Sequence, residues 1–96
     1  MEIKYYIGMN EVSMSAFEDA EKQAIKDGRT IKSSSMVDTY PTYTLENGTI
    51  IRGDKNGGFN EMVDGKPGKK WDLGTMNEWV QGESTNQGKG MFFIPE

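Results

Sequence analysis

The sequence predicts an α+β domain: a small antiparallel sheet with one main amphipathic helix and one short helix in its C-terminal half. Three observations carry that prediction. The stretch "SAFEDAEKQAIKDG", Ser15 to Gly28, combines helical periodicity with a start and a stop signal. From Thr30 onward the apolar period shifts toward two, and Asn47-Gly48 marks a hairpin turn. Thr75-Met76-Asn77-Glu78 then repeats the helix-start pattern.

Taken in order, "IKYYIGM", residues 3 to 9, is rich in β-branched and aromatic side chains and reads as a strand. In the helix that follows, Ser15 with Glu18 forms a capping box, and Gly28 suits the left-handed position beyond the last turn. Phe17, Ala20, Ala24 and Ile25 recur on one face. The opposite face carries Glu18 and Lys22 at the stabilising i, i+4 spacing of a solvated surface. "TIKSSSM" reads as a strand, and "TYTL" and "TIIR" flank the turn "ENG", in which Asn47 and Gly48 both tolerate positive φ. "GDKNGG" reads as a loop, "FNEMV" as a short strand and "DGKPG" as a further turn. "TMNEWVQ" is expected to be a short helix ending at Gly82, "GESTNQGKG" a flexible loop and "MFFIP" a closing strand. With no internal repeat or linker, residues 1–96 read as a single domain.

Composition narrows the function classes. Only 34% of the chain is apolar, so the core is expected to be thin or completed by a second subunit, with Tyr5, Tyr6, Phe92 and Phe93 as apolar patches for self-association. The chain lacks cysteine and histidine. Thiolate and Ser-His catalysis and the usual zinc ligand sets are thereby excluded, and the acidic residues form no telling pair, so the expectation is no enzyme and no cofactor. A net charge of −4 disfavours nucleic acid as a partner, because phosphate-driven binding needs a basic face. "MEIKYYIGMNEV" does not resemble a signal peptide, and no segment reaches the roughly 18 apolar residues of a membrane span. Without disulfides to staple a small secreted domain, the reading is cytoplasmic, with no membrane association.

Several motif fragments fail on spacing. "GESTNQGKG" has five residues between Gly82 and Gly88 where a phosphate loop needs four, and Gly90 stands where Ser or Thr must reach magnesium. "DKNGGFNE" begins like a calcium loop at Asp54 and Asn56, but Gly58 occupies the fifth position. The tripeptides Arg52-Gly53-Asp54 and Asn47-Gly48-Thr49 resemble an adhesion motif and a glycosylation acceptor, neither of which has meaning without export.

What survives is "DGKPGKKWDLG", residues 64 to 74. Lys66, Lys69 and Lys70 precede Trp71 in a chain with eleven basic and fifteen acidic residues. Lysine is a compact phosphate partner and an indole face stacks on a base, so Lys69, Lys70 and Trp71, with Lys66 and Arg52 as weaker members, are the candidate ligand-binding residues. The alternative stays open: Trp71 is a core residue, and the lysines only keep a turn soluble.

The order "FEDAEKQAIKDGRTI", a variable hairpin region, "KPGKKWD" and a short helix ending in tryptophan resembles the small phage anti-Thoeris signal-sponge family. Some of its members are described only as a domain of unknown function and some as anti-CRISPR proteins. The likeness covers Phe17 to Ile31 and Lys66 to Trp79. The family's basic strand reads Arg-Lys-Gly-Trp or Arg-Lys-Ser-Trp, whereas this chain has Ser33, Ser34, Ser35 and Met36. The resemblance implies a homo-oligomer, a dimer or tetramer, acting in the infected bacterial host cell. There it binds a cyclic nucleotide signal, a cyclic ADP-ribose isomer or cyclic dinucleotide, and withholds it from immune effectors without cleaving it. A rival of a different class is an acidic protein that docks on the basic channel of a bacterial defence nuclease, in the anti-CRISPR manner.

Overall fold

The computed structural model describes residues 2–8, 10–80 and 83–96. Its elements are β1 (Glu2–Ile7), β2 (Asn10–Val12), α1 (Met14–Lys26), β3 (Ile31–Val37), β4 (Tyr40–Leu45), β5 (Ile50–Gly53), β6 (Phe59–Val63), β7 (Lys66–Val80) and β8 (Glu83–Pro95). All strand pairs are antiparallel, in the order β2-β1-β7-β6-β5-β4-β3, with β8 paired to the remaining edge of β7. No helix among the described residues is long and apolar enough to cross a membrane.

The helix forms where the sequence predicts, with one correction at its start. The N-cap is Ser13, not Ser15: the Ser13 Oγ accepts from the Ala16 N–H at 3.2 Å, and the capping box with Glu18 is not used. At the other end Gly28 has φ +69°, and Arg29 N–H donates to Ala24 O at 2.7 Å while Gly28 N–H donates to Ile25 O at 3.2 Å. These paired bonds satisfy two carbonyls that a helix end otherwise leaves open. Phe17 and Ala24 are buried, but Ile25, expected on the same face, is 60% exposed.

The fold is dominated by strand, and the expected second helix is not found among the described residues. Thr75 to Val80 continue β7, pairing with β1 from Gly74↔Ile7 to Trp79↔Glu2 and with β8 on the opposite edge. A capping box is worth about 1 kcal/mol and acts within one turn, whereas pairing on both edges gives most of the segment's backbone groups ladder partners. Residues 83–90, expected as a loop, form the first part of β8. The connecting Gln81 and Gly82, where the helix was expected to end, lie outside the described residues.

β6 and β1 leave the same edge of β7 one after the other, β6 ending its pairing at Trp71 and β1 beginning at Gly74. From β8 through β7, β6, β5 and β4 to β3 the sheet curls back on itself. A bridge Thr30↔Phe92 and an Arg29 latch join its ends. Phe93 N–H donates to Arg29 O at 3.0 Å, and Arg29 Nη1 donates to Phe93 O at 2.8 Å.

Inside the curl Leu45, Ile51, Trp71 and Phe93 form one buried cluster, flanked by Ile31, Tyr43, Phe59 and Leu73. A second cluster joins Phe17 and Ala24 of the helix to Phe92, with Tyr5, Val12, Ala20 and Ile94 against it. Strand alternation sends Phe92 and Phe93 to different clusters. Both are fully buried, so they are core residues and not the exposed aromatic patches expected from the sequence.

Candidate functional site

The hairpin registers decide which candidate residues share a face. Directly opposed residues on neighbouring strands point the same way, so Ser35, Thr42, Arg52, Asn60 and Lys70 form one row across β3 to β7 on the outer face of the curl. Arg52 and Lys70, eighteen positions apart in sequence, stand two strands apart, roughly 10 Å, with Asn60 between them. Asn60 had no sequence signal of its own. Counting back from the Asp64-Gly65 turn would set Asn60 opposite Lys69; the register shift between Asn60 and Met62 moves it to Lys70, and no local signal marks that shift.

Arg52 is anchored by its guanidinium. Its Nη2 donates to Val37 O at 3.2 Å and lies 3.5 Å from Asp38 Oδ2, and the group stacks over the Tyr40 ring at 5.6 Å. The Nε–H of Arg52 and the Oγ1 of the opposing Thr42 are buried without a partner. A buried donor and a buried hydroxyl left without partners are costly to the fold. A cleft of about 550 Å³ runs beside Arg52, lined also by Tyr40, Asp54, Lys55, Asn60 and Met62.

The loop before β6 is organised by Asp54. Its carboxylate accepts from Asn56 N–H at 2.8 Å, Gly58 N–H at 3.0 Å and Asn60 Nδ2 at 3.0 Å. These bonds, with a smaller contribution from the Lys70 charge, hold the Asp54 pKa below its ordinary 3.8. A carboxylate near Lys70 also offsets part of the positive potential the row would present to an anion.

Trp71 lies on the other face. It is 8% exposed and belongs to the cluster inside the curl, so little of its ring is open for stacking. Its Nε1–H is nevertheless buried without a partner. Both Lys70 and Trp71 border a second cleft of about 440 Å³, which sits in the fork where β6 and β1 diverge from β7 and is also lined by Gly58, Phe59, Asp72 and Glu96. Lys66 and Lys69 are exposed and border neither cleft. The structure thus groups Lys70 with Arg52 on one face and with Trp71 at one cleft, and leaves Lys66 and Lys69 apart.

Comparison of the chain with protein-family models, with curated proteins and with solved structures finds no match.

The residues brought together set two cations and an amide on one outer face. Tyr40 joins them as an aromatic neighbour of Arg52 that sequence reasoning missed, because Tyr40 precedes Pro41 and reads locally as turn.

Proposed function

We propose that this protein is a binding protein that takes up a cyclic nucleotide signal, a cyclic ADP-ribose isomer or cyclic dinucleotide, and withholds it from bacterial immune effectors without cleaving it. In this reading it acts in the cytoplasm of an infected cell as a homo-oligomer. What supports the reading is the row Arg52, Asn60 and Lys70: two cations two strands apart with an amide between them, a spacing suited to a ligand that carries two phosphates. Lys70 contacts one phosphate and also borders the cleft in the strand fork, whose volume leaves room for the base. Arg52 contributes the second charge.

The magnitudes set what the site must supply. Sequestration at micromolar signal levels needs about 8 kcal/mol. Two charge-assisted contacts at about 1.5–3 kcal/mol each, with base contacts of about 1–3 kcal/mol, approach that figure before ordering costs, and a second subunit closing over the site would add to it.

The test is calorimetric titration of cyclic ADP-ribose isomers and cyclic dinucleotides into the wild type and Lys70→Ala. Binding by the wild type and a loss of about tenfold or more in the variant, with an unchanged melting temperature, supports the reading. No heat with any ligand in the wild type overturns it. Recovery of a cleaved nucleotide after heat release overturns the non-catalytic part.

A further inference from the structure

Strand β3 is a long edge. Apart from the Thr30 bridge that precedes it, β3 pairs only with β4 among the described strands, and every residue from Lys32 to Val37 is exposed. Natural edges are shortened, bulged or charged to prevent further pairing. β2 follows that rule with three residues. In β3 the protection is confined to the start, where the register with β4 shifts between Ile31 and Ser33 and Lys32 carries the strand's lone charge. The remaining run, Ser33 to Val37, has neither charge nor proline, and it includes Met36 at 67% and Val37 at 42% exposure.

We infer that this edge is the interface between two copies of the chain, paired antiparallel about a two-fold axis at Ser35. The inference rests on the reading above that the protein is a homo-oligomer, and it names the surface used. An antiparallel edge-to-edge contact is self-complementary under a two-fold axis. Centring it on Ser35 sets Ser35 opposite Ser35 of the second copy, Ser34 opposite Met36 and Ser33 opposite Val37, so both exposed apolar residues gain a neighbour. The same register brings Lys32, at the shift that opens β3, close to the turn that begins at Asp38 of the second copy, just beyond the paired strands, at each end of the contact. The Asp38 side chain is 86% exposed, with Arg52 at a long 3.5 Å, and is free to face a second lysine. Charge complementarity therefore selects this register, because sliding the copies by two residues separates both pairs. The dimer joins two curled sheets into one continuous sheet and brings the two outer-face rows that end at Ser35 side by side.

Because the chain has no cysteine, a single introduced thiol reports the contact directly. Ser35→Cys places two sulfurs across the axis within disulfide reach, whereas in Ser33→Cys the two thiols are four strand positions apart, roughly 13 Å, and are out of reach. Mild oxidation is expected to convert Ser35→Cys to a covalent dimer on a non-reducing gel and to leave Ser33→Cys monomeric. Lys32→Glu, which sets like charges close to each other at both ends, is expected to raise the dimer dissociation constant about tenfold by sedimentation. Equal cross-linking of both cysteine variants, or none in Ser35→Cys while the wild type sediments as a dimer, overturns the β3 interface but leaves self-association standing. A wild-type monomer at tens of micromolar overturns both.

Discussion

The turns at Asp38-Thr39 and Asp64-Gly65 share one backbone geometry and are held by different means. Each joins two strands through two residues of positive φ, +50° and +70° in the first and +53° and +77° in the second. This is the geometry that matches the twist of a hairpin, and it ordinarily calls for glycine at the second position. Gly65 meets that demand locally. Thr39 does not, since a β-branched residue in the left-handed region is strained, and its turn is held from outside by the Arg52 guanidinium on Val37 O and Asp38. A turn can be specified by its own residues or imposed by a neighbour, and only the first kind is legible in a short stretch of sequence.

The largest effect is expected where the imposed turn loses its anchor. Arg52→Ala should cost about 1–2 kcal/mol, the value of a charge-assisted hydrogen bond reduced for partial exposure, measured by urea denaturation. Gly65→Thr copies the strained turn into the second site without an anchor and should cost about 1 kcal/mol, left-handed strain less the entropy that glycine itself loses. The reverse change, Thr39→Gly, should stabilise by somewhat under about 1 kcal/mol. In that background Arg52→Ala should cost less than it does in the wild type. Equal costs in both would show that Arg52 does not hold the turn.

The smallest effect concerns a loop held by a side chain. The Asp54 pKa is lowered by the N–H groups of Gly58 and Asn56 and by Asn60, so its contribution to stability is present above the ordinary 3.8 and is lost as pH falls through the lower folded value. Stability measured from pH 5 down to pH 2 should therefore fall less in Asp54→Asn than in the wild type. Asp27, lowered by Gln23 and then Arg29, titrates in the same window and remains in both proteins as an internal reference.

The same distinction explains what the sequence revealed. The helix, the strands from 31 to 63 and the turns at Gly48 and Gly65 were legible because each carries its own cap, alternation or turn residue. Even there tertiary context altered details: only Gly48 of the Asn47-Gly48 pair adopts positive φ, and the turn is closed by Gly48 N–H on Leu45 O and Leu45 N–H on Thr49 O. β7 beyond Thr75 and the first half of β8 were not legible. Their residues look like a capped helix and a polar loop, and they become strands by pairing with each other and with β1, contacts that no local window contains. The candidate site divides in the same way. The lysines beside Trp71 were visible as a cluster, but the register that sets Lys70 beside Asn60 and Arg52 depends on three strands at once.

Phe92 and Phe93 carry a consequence for how the molecule comes apart. Two small cores would ordinarily melt independently, the helix layer first. Here consecutive residues of one strand plug both, and Gly74 of β7 lies so close to the Phe92 ring that an added Cβ would stand 2.7 Å from it. Neither ring can leave its cluster without displacing the backbone that seats the other. Amide protons of α1 and of β5 should therefore exchange with solvent through the same opening event and with the same free energy, even though the two elements belong to different clusters.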